Sequence, residues 1–304
     1  MQQWIRLVSR RAQRLANPPS AVVPQDGGRG MAPSAEPGGA WSGGLASGDA
    51  RLVQLADVSW EAPESRGAHC HGWFATLSRS YAENRCLPHA LAASGALGEW
   101  LARDEGEGQA WTHSSDAGRR LLNWALGIGW LGEELDPDLR RRMAGSALFH
   151  ARYLERELCL SPGEEDHRLI GQAAGLVVAG LSWPDLPGAG SWWSRGLSLL
   201  ARYLPKQLRG DGAPLHRSPA ELLDLLQVVL VARAFCRVNG VVFPEAADGA
   251  LVRGACYLRA VAGDLSLPPL GGAPVETLLD PWGGLAGESP WNTVSALGLV
   301  TEAG

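Results

Sequence analysis

Residues 168–183 read RLIGQAAGLVVAGLSW, and this stretch decides the fold class. Gly171, Gly175 and Ala179 recur every four residues, and of the residues between them only Gln172 is polar. Small residues at that spacing line one side of an α-helix. They let a second backbone come close, because no side chain holds the two helices apart. Residues 219–238, PAELLDLLQVVLVARAFCRV, are apolar on nearly every face from Leu222 to Phe235. A helix apolar almost all round belongs inside a layer of other helices. By contrast residues 138–158 carry Arg140, Arg141, Arg142, Arg152, Glu155 and Arg156, as an outer helix with a solvated side would.

The same periodicity predicts helices at 71–82, 89–103, 115–131, 138–158, 167–182, 191–209, 219–238 and 247–262. Several ends are marked. Asp136-Pro137 places an N-cap before a first-turn proline. Ser218-Pro219-Ala220-Glu221 does the same and adds the glutamate of a capping box. Gly132, Gly210 and Gly240 stand where helices should stop. Inner and outer helices joined by short loops predict an all-α protein, an (α/α) toroid that is incomplete at this length. No strand pattern of any length and no close internal repeat is visible.

The flanks differ in composition. Residues 1–48 form a leader and linker. Met1 to Ala16 intersperses Trp4, Ile5, Leu7 and Val8 with Arg6, Arg10, Arg11 and Arg14. It lacks the uninterrupted apolar run of a secretory signal and reads as a leading helix or a membrane-surface one. Asn17 to Gly48 is rich in Pro, Gly, Ser and Ala, the composition of a flexible linker. Residues 49–263 make the helical domain, and 264–304 an irregular tail of Pro, Gly and Leu. The longest apolar run, Leu169 to Leu181, is too short to span a bilayer, so no membrane span is expected.

The chain has 304 residues, 45% of them apolar, and a net charge of −5. That acidic balance argues against a nucleic-acid partner, which would require a basic stripe. Thirteen tryptophans stand against four tyrosines and four phenylalanines, to fill helix seams or to stack on sugars. The five cysteines are odd in number and lack CxxC spacing, so no disulfide framework is expected. Cys159, Cys236 and Cys256 lie in apolar helical stretches and are expected to be buried thiols. His69-Cys70-His71 has metal-binding residue types, but adjacent residues cannot all face one tetrahedral ion and no second ligand pair follows. Neither metal nor cofactor is expected.

Three segments, in order and at consistent spacing, resemble one family. Gly118 to Gly132, GRRLLNWALGIGWLG, is similar to the Arg-x-x-Asn-Trp helix of the heparinase II/III family, which includes heparan-sulfate and alginate-type lyases. Gly163 to Trp183 resembles the family helix that opens with Asn-His. Leu204 to Leu226, LPKQLRGDGAPLHRSPAELLDLL, is similar to the family's Gln-x-x-x-Asp-Gly-Gly-x-x-x-Arg-Ser/Asn-Pro segment. The resemblance runs from Gly48 to Pro274 and points to an uncharacterised bacterial branch. It implies an N-terminal (α/α) toroid followed by a large β-sandwich domain, and β-elimination on a uronate-containing anionic polysaccharide. This chain ends where the β domain would begin, as a fragment, a truncated product or a stand-alone helical domain would. Family members are mostly exported, so periplasmic localisation follows from the resemblance and a cytoplasmic one from the missing signal.

β-Elimination needs a group that neutralises the uronate carboxylate, a base for the C5 proton and an acid for the leaving oxygen. The family asparagine that neutralises the carboxylate falls at Asp166, and its neighbour is retained as His167. The catalytic tyrosine and the histidine after it fall near Glu221 and Leu222. His167 and His216 are the acid–base candidates, because histidine titrates near neutrality. Glu221 is a third catalytic candidate, and its alternative role is the cap with Ser218. Arg217, just before a helix N-terminus, can hold a sugar carboxylate bidentately. Arg120, Asn123 and Trp124 match the family motif as substrate-binding candidates. Asn123 and Trp124 either line the groove or lock one helix to the next. Two other functions are open: a catalytically silent glycan-binding toroid, and a glycoside hydrolase pairing Asp166 with Glu221 at about 5–9 Å.

Overall fold

The computed structural model describes residues 69–103, 111, 113–160, 168–216 and 218–261. The expected leader and linker (1–48) and tail (264–304) lie outside the described residues. Eight α-helices follow one another: α1 Gly72–Asn84, α2 Leu87–Arg103, α3 Ser114–Leu131, α4 Pro137–Leu160, α5 Arg168–Ser182, α6 Ala189–Tyr203, α7 Pro219–Val238 and α8 Glu245–Val261. Short 3-10 turns occupy Gly132–Glu134 and Pro205–Gln207. Among the described residues there is no strand, only an isolated bridge between Leu208 and Pro214.

The odd-numbered helices pack side by side as an inner row, α1 on α3, α3 on α5 and α5 on α7. Each even-numbered helix backs its neighbours from outside, with α2 on α1, α4 on α3 and α5, α6 on α5, and α8 on α7 and α6. This is the (α/α) toroid architecture that the alternation of apolar and charged helices predicted. Helix α5 is the hub, and its small residues act as anticipated. A Cβ placed on Gly118 of α3 would lie 2.5 Å from the Gly171 carbonyl oxygen, and one on Gly175 would lie 2.5 Å from the Gly118 Cα. The two backbones touch there with no side chain between them. On its other side α5 receives Gly196 of α6, where a Cβ would meet the Ala173 oxygen at 2.6 Å.

The Asp136 cap forms as read, and of the capping box read at Ser218 the serine half forms. The Asp136 carboxylate accepts from the Asp138 and Leu139 amides at 2.8 and 3.1 Å, and the Ser218 hydroxyl accepts from the Glu221 amide at 3.2 Å. Gly132 ends α3 with φ 60°, and Gly240 follows α7 with φ 69°. One helix is shorter than the pattern suggested. The predicted 191–209 segment stops at Tyr203, because Pro205 has no amide hydrogen with which to continue the ladder and opens a 3-10 turn instead. Gly210 therefore lies in the following turn rather than at a helix end. Cys236 is buried as expected, but Cys256 is exposed, because outer helix α8 turns that side to solvent. No helix among the described residues is long and apolar enough to cross a membrane.

Candidate functional site

The two motif regions that the structure describes occupy different environments. The Arg-x-x-Asn-Trp motif of α3 is interior. Arg120 and Trp124 have no exposed surface and Asn123 is 6% exposed. Their polar atoms turn toward the His69-Cys70-His71 turn that leads into α1. Arg120 donates to the His69 carbonyl at 2.8 Å, Asn123 to the Cys70 carbonyl at 2.7 Å, and the Trp124 indole to His71 Nδ1 at 2.7 Å. His71 takes a left-handed backbone, φ 59°, which these bonds hold in place. Of the two roles open to Asn123 and Trp124, the geometry supports the lock between chain segments.

Arg120 also donates through Nε to His150 Nε2 of α4 at 2.9 Å, and its guanidinium lies 5.2 Å from the rings of both Trp100 and Trp111. Trp100 donates to His69 Nδ1 at 3.3 Å. Three buried histidines thus each accept an N–H, which requires each to be neutral at that nitrogen. Burial pushes His71 and His150 well below the ordinary histidine value, and the nearby Arg120 charge lowers both further. Cys70 is pushed up to about 12, first by burial and then by the Asp116 carboxylate. The imidazole nitrogens that face the tryptophans are already engaged by indole N–H groups.

The second region is the entry to α7. Between Gln207 and Leu215 the chain reverses tightly: the Leu215 amide donates to the Gln207 carbonyl and the Arg209 amide to Ala213. The Asp211 side chain accepts from the Ala213 amide at 3.0 Å. Gly212 has φ 88° and its α-carbon abuts the Arg253 carbonyl of α8, so only glycine fits. The family's Asp-Gly pair is here a turn that docks on α8. It delivers His216 to a shallow pocket of about 20 Å³, lined by Gln207, Leu208, Pro214, His216, Glu221, Leu222 and Leu225.

His216 and Glu221 both border this pocket, and both are exposed. The walls are otherwise mostly apolar. Leu222 is 1% exposed and turns into the core, so the position where the family carries histidine offers no titratable group. Arg217 precedes the Ser218 cap in sequence. Arg217, Asp166 and His167 lie outside the described residues. Sequence reasoning passed over one feature that fixes this site. The Arg119 guanidinium of α3 pairs bidentately with Asp224, one turn beyond Glu221, with Nη1 at 2.6 Å from Oδ1. The pair is about one-fifth exposed and ties the first turns of α7 to α3. Its members are 105 residues apart, and no spacing rule in a single sequence joins them.

No family model and no curated protein matches the chain. Solved structures do. A heparan sulfate lyase, HepC from Pedobacter heparinus, aligns over 86% of this chain and 43% of that one, at 14% identity and TM-score 0.55. A heparinase III crystal structure aligns over 66% of this chain and 32% of that one, at 17% identity and TM-score 0.55. A second heparinase III gene product aligns over 70% and 40%, at 16% identity and TM-score 0.52. The chain therefore spans less than half the length of each of these proteins. It has the helical toroid fold that the three motifs implied, and the likeness at this identity is one of fold.

Proposed function

We propose that this chain is the helical domain of a polysaccharide lyase of the heparinase II/III type, acting on a uronate-containing anionic glycan at the entry to α7. The observation that carries the reading is the pocket that joins His216 and Glu221 within a toroid shared with heparan-sulfate-cleaving proteins. In this reading the uronate carboxylate sits against Arg217 and the α7 N-terminus, where a cation and the positive end of the helix dipole favour an anion. His216 takes the C5 proton, the C4–O bond breaks, its electrons leave with the oxygen, and a C4–C5 double bond forms. Glu221 in its protonated form returns a proton to the departing oxygen. His167 and Asp166 precede α5 in sequence and are the further candidates carried by the resemblance.

The test is direct. Purified full-length chain is incubated with heparin, hyaluronan, alginate and chondroitin, and the unsaturated uronyl end is read by its far-ultraviolet absorbance. Product is expected from at least one glycan and is expected to vanish in His216→Ala. No product from any member of the panel sinks the lyase reading. A second reading, a glycan-binding toroid without chemistry, is favoured by the buried Leu222, which leaves no titratable side chain at that position. It predicts retention on an immobilised glycan without absorbance. New reducing ends without absorbance would instead indicate a hydrolase using Asp166 and Glu221.

A further inference from the structure

We infer that the outer face of α4 is a second, non-catalytic binding surface for an anionic polysaccharide, separate from the α7 pocket. The inference rests on the proposed glycan substrate. It starts from charge. The chain carries a net charge of −5, yet α4 holds five arginines against three acids, Asp138, Glu155 and Glu157. Arg142, Phe149, Arg152, Tyr153 and Arg156 fall within one stripe of α4 by helical spacing. Arg142, Arg152 and Arg156 are exposed. Of the neighbouring acids, Asp138 pairs with Arg141 at 2.6 Å, Glu157 lies 3.9 Å from Arg156 and Glu155 is half-buried. Arg142 also donates to the Gly98 carbonyl at 3.0 Å, which holds it at the end of the stripe.

At the middle of this stripe stands an aromatic ring. Phe149 is 52% exposed, and it is mounted from below. Its ring meets Trp111 edge-on at 5.0 Å, and Tyr153 also meets Trp111 edge-on at 5.1 Å. The Tyr153 hydroxyl donates to the Trp111 carbonyl at 3.2 Å. Trp111 in turn lies on buried His150 and Arg120. A ring held this way loses little freedom when a ligand covers it, which is the condition for stacking on the apolar C–H face of a pyranose. One turn before it, Gly145 has open space where a Cβ would stand, which keeps the surface flat beside the ring. From Arg142 to Arg156 the helix rises about 21 Å, a length that suits a linear polymer and exceeds a single sugar. Guanidinium groups on either side of an aromatic ring match repeating carboxylate or sulfate groups on either side of a sugar ring. The chain's own segment Met1 to Ala16 is a poor occupant, since it carries four arginines and no acid.

The test compares wild type, Phe149→Ala, Arg152→Ala/Arg156→Ala and His216→Ala for binding to size-defined heparin oligosaccharides, with uncharged dextran and single-stranded DNA as comparisons. Each changed residue is exposed, so the variants fold. The arginine pair is expected to weaken heparin binding about tenfold and Phe149→Ala about fivefold. His216→Ala is expected to leave this binding intact while removing the unsaturated product. Equal binding by wild type and the α4 variants overturns the inference. So does DNA binding as tight as heparin binding and indifferent to Phe149, which would mark bare charge attraction. The acidic residues Asp104, Glu105 and Glu107 precede Trp111. If heparin binds only after their change to Asn and Gln, this chain's own segment is the occupant and the inference fails. No product from the wild-type chain, with α4-dependent binding retained, would instead sink the lyase reading alone.

Discussion

The Arg-x-x-Asn-Trp helix and the entry to α7 come from the same family resemblance, yet the structure has put them to opposite uses. Around Arg120 every polar atom faces inward, and Trp124 is closed to solvent. At the entry to α7, His216 and Glu221 face a pocket and their side chains remain exposed. The first region is a polar core that holds the turn before α1. The second is open to solvent. Matching residue types therefore do not carry matching roles, and burial separates them. Substitutions in the first region should act on stability, and substitutions in the second on chemistry.

The largest effect is expected at Arg120. Arg120→Ala removes donors from the His69 carbonyl and His150 Nε2 and opens a void between Trp100 and Trp111. Buried acceptors left without partners and a cavity of this kind should together lower stability by at least about 3 kcal/mol. That is a large share of the total for a domain of this size. Urea unfolding measures it. A loss under about 1 kcal/mol would show that the network relaxes, and the contrast between the two regions would break.

Acid should reach the same core without mutation. His71 and His150 are both held below their ordinary value of 6.5 by burial first and by Arg120 second. A lowered histidine is neutral in the folded state and gains a proton on unfolding. Stability is therefore full above about pH 6.5 and falls as the pH drops below it, by about 1.4 kcal/mol per histidine per pH unit. The groups facing these imidazoles are Arg120, His69, Trp73, Trp100, Trp111, Trp124 and Ser146; the Ser146 carbonyl at 2.7 Å from His150 Nδ1 offsets part of the shift, and none offers a carboxylate to the new charge. Unfolding midpoints at pH 7.5 and 5.5 check this. Arg120→Ala should flatten the dependence, since the guanidinium opposes both protonations.

Much of this was legible in the sequence, and the reasons are local. The Gly171/Gly175/Ala179 spacing announced a close backbone approach, and the Ser218 and Asp136 caps follow from chemistry within one turn. The inner and outer assignments followed from which faces carry charge. The illegible parts are contacts between distant residues. Nothing in a single chain pairs Arg119 with Asp224 or sends Trp124 to His71. The motif at Arg120 looked equally suited to a groove and to a lock, because a residue type states what it can bond to and not whether water reaches it. Cys256 was misread for a related reason. An apolar helical stretch says that a helix is packed, and only the packing says which side.

A smaller effect is expected where the two regions' logics overlap. Ser218 caps α7 through its hydroxyl, and the recipient amide belongs to Glu221. Ser218→Ala should cost about 1 kcal/mol of stability, the usual loss for a missing N-cap. It should also weaken turnover, because the first turn that presents Glu221 loses an anchor while the Arg119–Asp224 pair still holds the next one. Urea unfolding and product assays on the same preparation check both. A stability loss with unchanged turnover would show that Arg119 and Asp224 alone position the site.

The smallest effect on stability should fall at the residues proposed to carry the chemistry. His216 and Glu221 are exposed, and the capping contact at Glu221 uses its backbone amide, which Glu221→Gln retains. Exposed substitutions of this kind usually change stability by less than about 0.5 kcal/mol. Glu221→Gln keeps the size and the hydrogen-bonding capacity of the side chain but removes the ionisable proton. If the carboxyl transfers a proton, the variant should lose about two to three orders of magnitude in turnover, with glycan binding little changed. If Glu221 serves only the cap, both stability and turnover should stay at wild-type levels. The same pair of measurements on Arg120→Ala should give the reverse pattern, a large loss of stability and, in whatever fraction stays folded, near-normal turnover. A stable but inactive Arg120→Ala protein would mean that the buried network reaches the chemistry, and the division drawn between the two motifs would have to be abandoned.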